Sequence, residues 1–572
     1  MAGKPVCPVI PKEEIQTLMS RQAIPYLGTK LLQKSHLVPL LPYAVAREHL
    51  VFIFDISPDQ ISLAVAEPRP AVIRELKMIL KRPIKIYRAS PELLKKIIDQ
   101  GYRDIHHYKA LQELRERNPE ESAYRVLYPW QQKFILFCSA TLGIALLAAP
   151  YGTWLVFFTF INVFYFLTNP IKLYISFKGF SGFQRTVAVS AAELKKLRAD
   201  QLPVYTILIP LYKEKNILPA VKENISRLDY PHHKLDIKII LEELDVETIT
   251  AAQHMTWPDC FQIVIVPEAD IKTKPRACNY ALQRARGEYC VIYDAEDDPD
   301  PDQLKKALVA FRKLKDKFVC LQGKLNFYNP DENFLTGWFT LEYNYWFDFY
   351  LEGLDSVGAP LPLGGTSNHF RTKELKRLGG WDPYNVTEDA DLGIRIAARA
   401  QHTAMINSYT YEEANNQVGN WIRQRSRWQK GYFQTYLVHM RHPLRLLKTL
   451  GLRQFLFFQL SFGGTIFLPL INPLLWLVTL LSWVSPHPWI PQSLALFCLF
   501  NLIVGNITYM ICHLISTILH RNYRLIPLAL LIPLYWILIS IGAWKGALQL
   551  ITKPFYWEKT THGLSKQHKK KR

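Results

Sequence analysis

The stretch Tyr289-Cys-Val-Ile-Tyr-Asp-Ala-Glu-Asp-Asp-Pro-Asp-Pro-Asp302 passes from a short apolar run to a cluster of carboxylates in a single residue step. Tyr289 to Tyr293 has the β-branched and aromatic composition of a buried strand. Asp294, Glu296, Asp297 and Asp298 follow, and such a cluster repels itself until a cation, a basic neighbour or solvent neutralises it. Hard divalent cations such as Mg²⁺ or Mn²⁺ take oxygen ligands of this kind. The same string also reads as an acidic, proline-terminated surface turn. Its surroundings decide between the two.

Upstream, Val204-Tyr-Thr-Ile-Leu-Ile-Pro210, Ile237 to Leu241 and Gln262 to Val266 are further strand-like runs, separated by helical patterns such as Ile217 to Leu228 and Arg276 to Arg286. Alternation at this spacing predicts parallel βαβ units, hence an α/β, doubly wound parallel sheet. Ligands of such sheets bind beyond the carboxyl ends of the strands. Glu242, Glu243 and Asp245 follow the second run, and Lys272, Lys274 and Arg276 open the helix after the third. Thr387-Glu-Asp389 begins a helix that runs to Ala400, and Gln424-Arg-Ser-Arg-Trp428 lies on an aromatic, basic segment. Taken singly, these have plain readings: a basic helix face, a Thr N-cap with acids in the first turn, a basic amphipathic helix.

Apolar stretches flank this region on both sides, Phe134 to Ala149 and Trp154 to Phe177 before it, and Phe455 to Val484, Leu494 to Leu519 and Leu525 to Ile551 after it. A bilayer core of about 30 Å needs about 20 apolar residues in a helix. The sheet is therefore expected between transmembrane helices, behind a small α+β N-terminal domain. Residues 1–125 are expected to form that domain, 130–178 a membrane hairpin, 200–440 the α/β domain, 441–453 a basic interfacial helix, 454–552 the C-terminal spans and 553–572 a basic tail. Three simple C-terminal crossings would put that tail outside, against the positive-inside rule. The stretch interrupted at Pro469-Leu-Ile-Asn-Pro473 is accordingly expected to fold back on itself, returning the tail to the cytoplasm.

The 69 Lys and Arg against 49 Asp and Glu give a net charge of +20. That excess suits anionic lipid surfaces and phosphorylated substrates. It lies along the membrane flanks rather than in one aromatic-rich patch, which argues against nucleic acid as a partner. The eight cysteines are dispersed, without zinc spacing, and read as buried residues in a reducing compartment. The start, Met1-Ala-Gly-Lys-Pro, lacks a signal-peptide core, so the first domain is expected in the cytoplasm.

Two resemblances sharpen these expectations. The strings Leu37-Val-Pro-Leu-Leu-Pro-Tyr-Ala-Val-Ala-Arg47, Leu63-Ala-Val-Ala-Glu-Pro68 and Ile84-Lys-Ile-Tyr-Arg-Ala-Ser90 resemble the N-terminal domain of type II secretion ATPases. Some members of that family bind cyclic di-GMP through a repeated Arg-Leu-Gly motif, of which only Tyr26-Leu-Gly28 remains, so docking or assembly is the expected role. In order and spacing, the motifs from Glu242 to Trp428 resemble the processive, membrane-embedded branch of glycosyltransferase family 2, which includes bacterial cellulose synthases and has a GT-A type sheet.

The second resemblance implies an inverting hexosyltransferase in the bacterial inner membrane, multi-pass, with its catalytic domain in the cytoplasm. The donor would be a UDP-sugar, the acceptor a growing β-linked glycan exported through the membrane, with lipids and other export subunits as partners. Asp389 would be the general base. Glu243, Asp245, Lys274, Arg276, Asp294 and Arg427 would bind the nucleotide sugar, and Gln424, Arg425, Trp428 and Glu388 the acceptor. Asp294 and Glu296 would hold Mg²⁺ or Mn²⁺, although Glu296 stands where the family has an aspartate, so that Asp297 is an alternative ligand. Leu363-Gly-Gly-Thr-Ser-Asn-His-Phe370 resembles the acceptor loop, with His369 either in the site or in the core, and Tyr556 to Gly563 resembles a segment that covers it. The same catalytic set would also serve a single transfer to a lipid such as polyprenyl phosphate, and a catalytically impaired scaffold would carry these motifs too.

Overall fold

The computed structural model describes residues 40–180, 187–484, 490–561 and 563–565. The chain divides into two compact units at Lys109/Ala110. In the first, the order is α1 (Tyr43–Glu48), β1 (Val51–Ile56), β2 (Ile61–Val65), α2 (Pro70–Leu80), β3 (Ile84–Arg88) and α3 (Pro91–Gly101), followed by α4 (Arg103–Arg117), which runs across the division. β2 is the central strand, antiparallel to β1 and parallel to β3, and all five of its residues are buried. α3 starts where its sequence says it should: the Ser90 hydroxyl accepts the Leu93 N–H at 3.3 Å, and Pro91 takes the first helical position, where a missing donor costs nothing. Tyr26-Leu-Gly28 lies outside the described residues.

The second unit opens with two long apolar helices, α5 (Pro129–Ala148) and α6 (Pro150–Phe180). The α/β domain follows: β4 (Tyr205–Leu211), α7 (Leu218–Ser226), β5 (Leu235–Glu242), α8 (Val246–His254), β6 (Phe261–Val266), α9 (Lys274–Leu282), β7 (Tyr289–Ile292), the two-residue β8 (Asp298–Pro299), α10 (Gln303–Lys313) and β9 (Phe318–Phe327). Then come α11 (Phe334–Tyr345), continued through a wide turn into α12 (Leu351–Val357), β10 (Asn368–Arg371), α13 (Glu388–Ala398), β11 (His402–Glu412) and α14 (Val418–His439).

The eight strands make one sheet in the order β6-β5-β4-β7-β10-β9-β11-β8. β6, β5, β4 and β7 are parallel, as the βαβ spacing predicts. The sheet as a whole is mixed, because β10 inserts antiparallel between β7 and β9. Its four residues were too short a run to announce a strand. The effect is local and consequential: Asn368 pairs with Ile292, so the Leu363–Ser367 loop lies beside the carboxyl end of β7 and its acid cluster.

C-terminal to α14 come α15 (Pro443–Phe457), α16 (Gly464–Val484), α17 (Gln492–Leu519) and α18 (Ile532–Thr552). Among the described residues, five helices are long and apolar enough to cross a membrane: α5, α6, the continuous run Pro443–Val484, α17 and α18. The expected fold-back at Pro469 to Pro473 does not occur, since α16 passes through both prolines. Each proline removes one N–H from the helix, and neighbouring helices compensate for such losses. Beside this interruption the Trp544 indole of α18 donates to Leu470 O at 3.1 Å, an additional contact of α16 with its neighbour.

α18 instead leads the chain back to the α/β domain, as far as the described residues reach at Ser565. It runs along α14, from the Trp421–Tyr535 ring contact at 5.1 Å to Lys430, which donates to Tyr556 O at 2.6 Å just beyond its end. Gly542 and Gly546 face α14, and a Cβ on Gly546 would sit 2.6 Å from Ser426 O. Leu534, Ile537, Ile541, Trp544, Leu548 and Ile551, spaced by threes and fours, form its exposed stripe. The following segment stays on the α/β domain: Glu413 accepts the N–H groups of Gly563, Leu564 and Ser565 at 2.7–3.0 Å.

α6 is joined to that domain by two glycines that face each other's chains. A Cβ on Gly179 would overlap the Phe349 carbonyl, and one on Gly353 of α12 would overlap the Ile175 carbonyl of α6. The two backbones meet with no side chain between them.

Candidate active site

One large cavity, of about 490 Å³, lies at the carboxyl edge of the sheet and extends among the apolar helices. At the sheet end, β7 delivers Asp294 and Glu296 into it. The loop that holds them is braced from beneath by Asp297, 2 % exposed, whose carboxylate accepts the Asp294 N–H at 2.8 Å and the Thr366 hydroxyl. Burial, then Asp294 and Glu296, push Asp297 well above the ordinary carboxylate range. It does not line the cavity, so the alternative metal ligand is a loop brace.

Lys274, at the first turn of α9, forms an ion pair with Asp294 and donates to Gly365 O at 2.7 Å. Burial pulls its ammonium down, but Asp294 and Glu388 outweigh that and hold it above the ordinary lysine value. Gly365 has no room for a side chain to spare: a Cβ there would lie 3.2 Å from Asp389 Oδ2 and 3.9 Å from Lys274 Nζ. The β10 loop thus brings the helix-start cation and the Thr387-Glu388-Asp389 motif to one point.

Glu388 and Asp389 sit in the first turn of α13. Burial, reinforced by Asp389, pushes Glu388 up to about 8 against the pull of Lys274 and Arg427. Burial also raises Asp389, while the Ala390 N–H at 2.7 Å, Lys274 and Arg427 restrain it. Arg427 comes from α14, its guanidinium 4.5 Å from the Trp557 ring; burial lowers it, and Glu388, Asp389 and Asp294 oppose that. α14 reaches this position because Gly431 meets the backbone of Thr387, where a Cβ would lie 2.6 Å from the amide nitrogen.

The acceptor-side residues lie on the same helix. Trp428 lines the cavity with its ring 6.5 Å from Tyr343. Gln424 lines it too, accepting from Asn415 Nδ2 at 2.8 Å. Arg425 is already committed: it forms a bidentate pair with Glu342 at 2.8 and 2.6 Å amid Phe339, Trp421 and Trp428.

Three residues expected at the nucleotide do not face the cavity. Asp245 is buried as the N-cap of α8, accepting from Thr248 N and Lys213 N. Glu243 accepts the Glu268 N–H at 3.0 Å outside the cavity lining. Arg276 is fully buried, paired with Glu242 and donating to Pro267 O at 2.7 Å. Their neighbour Glu242 is the carboxylate of that stretch which lines the cavity. His369 is a core residue, bonded through Nδ1 to the Tyr205 hydroxyl at 2.7 Å and pushed down to about 3 by burial.

Two contributions escaped sequence reading. Glu412, at the end of β11, lines the cavity facing Asp294, Glu296 and Asp297, and burial with those neighbours pushes it well above the ordinary range. Its signal was an acid closing an alternating strand, legible only once β11 is known to lie parallel to β9. From the helices, Tyr165, Asn169, Lys172, Asn472, Tyr509 and His513 line the far limb, hidden in the sequence among apolar residues.

No cluster of three His, Cys, Asp or Glu residues arranged to hold a metal occurs among the described residues. Asp294 and Glu296 fit the hard-oxygen chemistry of Mg²⁺ or Mn²⁺, which is commonly bound by one or two carboxylates together with substrate phosphates. Glu412 Oε1, buried and without a hydrogen-bond partner, adds unused acceptor capacity beside them.

The carboxyl edge of the sheet thus gathers acids, cations suited to phosphate and an aromatic face of the size of a sugar ring. Residues 203–431 match the model described as glycosyltransferase like family 2, and the chain carries a glycosyltransferase domain. Residues 23–107 match the MshEN domain. Relatives include the probable glycosyltransferase YdaM of Bacillus subtilis, 24 % identical over 45 % of this chain and 60 % of its own length. Glucomannan 4-beta-mannosyltransferase 2 of Arabidopsis thaliana is 26 % identical over 36 % of this chain and 40 % of its own length. Beta-monoglucosyldiacylglycerol synthase of Trichormus variabilis is 24 % identical over 42 % and 52 %. The chain thus spans about half the length of the curated relatives it matches. A solved mannosyltransferase from Pyrobaculum calidifontis, in complex with GDP-Man and Mn²⁺, aligns over 72 % of this chain and 98 % of its own with a TM-score of 0.46 and 17 % identity.

Proposed function

We propose that the domain transfers a hexose from a UDP-sugar, with inversion, to a hydroxyl presented from the helix-lined limb of the cavity. The observation that carries this is the meeting of Asp389, Lys274 and Asp294 around Gly365, in a cavity continuous with the apolar helices. Asp389 Oδ2 takes the acceptor proton as the acceptor oxygen attacks the anomeric carbon. The bond from that carbon to the diphosphate oxygen breaks, and its electron pair leaves with UDP. Lys274, the N-terminus of α9 and Arg427 stabilise the charge developing on the leaving group. A divalent ion held by Asp294 and Glu296 would supply further neutralisation of that diphosphate. Glu388, held up at about 8 by burial and by Asp389, takes up a proton more readily than an ordinary carboxylate, and Lys274 and Arg427 oppose this.

Two acceptors share this approach, a growing β-linked glycan on its way to export and a lipid-borne hydroxyl. The packing beyond the limb favours the second: Asn501 donates to Asn162 O at 3.1 Å, and Phe158, Ile161, Leu475 and Val478 close on one another there.

Purified full-length protein in nanodiscs, given labelled UDP-sugars and Mn²⁺ with a lipid extract, is expected to yield a lipid bearing a single added sugar. A long polymer would restore the glycan reading. Asp389→Asn is expected to lower turnover by roughly 10² to 10⁴-fold. Turnover absent in the wild type and unaltered by that change would leave a scaffold.

A further inference from the structure

At its helix end the cavity changes character. Lys172 lines it from α6, whereas Leu173, Tyr174 and Phe177 face outward, each more than 40 % exposed. A lysine near a helix end ordinarily snorkels outward to water. This one turns inward, its Cε 3.6 Å from the Cβ position of Gly464 on α16. No carboxylate among the described residues pairs with its ammonium. Glu342, which lines the same cavity, is occupied by Arg425.

Three further polar atoms of this lining, Asn169 Oδ1, Asn472 Oδ1 and Tyr509 OH, are buried without a hydrogen-bond partner. Each such group is costly in an apolar bundle, and so is a cation without a counter-charge. A neutral glycan would satisfy the amides and the phenol but leave the ammonium uncompensated. The depth also matters. Lys172 is about two turns from the end of α6 at Phe180, Gly464 lies about three to four turns beyond the kink at Gly451 in the run Pro443–Val484, and His513 is about two turns from the end of α17 at Leu519. Lys172 and His513 lie in the last turns of their helices on the side of the catalytic domain, the level of lipid headgroups rather than acyl chains, and Gly464 packs beside Lys172 there.

We propose that Lys172 binds the phosphate of a lipid that carries the acceptor hydroxyl, with Asn169, Asn472 and Tyr509 engaging the polar atoms of the headgroup and its hydroxyl pointing toward Asp389. This rests on the transferase reading above and names its acceptor as a phosphate-bearing lipid. The phosphate is an anchor; bond formation stays at the hydroxyl.

The test is calorimetry on the full-length protein in phosphatidylcholine nanodiscs, with farnesyl phosphate, farnesol and inorganic phosphate as probes and UDP with Mn²⁺ as a fold control. The wild type is expected to bind farnesyl phosphate at least about tenfold more tightly than farnesol, as pairing a buried cation requires. Inorganic phosphate at the same concentration should not compete. Lys172→Gln should abolish the preference with UDP affinity unchanged, and Lys172→Arg should keep it. Equal binding of the two probes by the wild type, a preference surviving in Lys172→Gln, or competition by inorganic phosphate would overturn the proposal while UDP binding stands. A wild type that takes neither UDP nor any other nucleotide would bring down the transferase reading itself.

Discussion

At the residue scale, the site is governed by which carboxylates are left charged. Asp389 must be ionised to accept a proton, and burial raises its pKa. The acid limb of kcat/KM is therefore expected above the usual aspartate range, with activity rising as pH rises through it. Lys274 is one of the groups that hold Asp389 down. In Lys274→Gln the limb should move to higher pH, on top of a loss of rate, as pH–rate profiles of residual activity would show. A limb that stays in place would remove Asp389 from the role of base. The order and spacing of motifs that resemble glycosyltransferase family 2 made Asp294, Lys274, Asp389 and Arg427 legible as a set; taken singly, each also had a plain structural reading. The same resemblance failed for Asp245, Glu243 and Arg276. Carboxylates that cap helices or pair with a buried guanidinium look the same in a sequence as those that face a ligand, and only the cavity distinguishes them.

At the element scale, the site depends on close approach of helix starts and loops. Gly431 lets α14 touch Thr387, and through it the first turn of α13. Gly431→Ala should push α14 away and displace Asp389 relative to Arg427, lowering kcat by about a hundredfold, the cost of misplacing reacting groups by an ångström. UDP affinity, read by calorimetry, should change much less, because Lys274 and Asp294 belong to other elements. Wild-type rates in this variant would mean the contact is slack. The four parallel strands were visible from β-prone runs spaced by helical patterns, and β4, β5 and β7 are buried on both faces, whereas the edge strand β6 is half-exposed. β10 was not, because its pairing comes from distant neighbours rather than its own composition.

For the whole molecule, the apolar stretches count membrane helices but do not say which of them cross. The exposed stripe of α18 occupies one face, and the other lies on α14; such a helix suits the plane of the membrane surface better than its depth. On this reading, four crossings, α5, α6, α16 and α17, would keep the α/β domain and the segment up to Ser565 on one side. In a cysteine-free background, cysteines placed at Lys315 and Ser565 are expected to react with an impermeant maleimide from one side of the membrane, and those at Tyr151 and Gln492 from the other. Labelling of Ser565→Cys together with Gln492→Cys would make α18 a fifth span. Hydropathy could not show this, because an apolar face against protein and one against lipid read alike.

The paired glycines between α6 and α12 carry a mechanical consequence. Where backbone rests on backbone, no layer of rotatable side chains is present to absorb displacement, so Gly179 and Gly353 make the hairpin and the catalytic domain a single lever. Lys172 is fixed to that lever. Any widening that lets a bulky substrate slip in sideways is therefore expected at the opposite wall, formed by α16 with its two prolines and by α17.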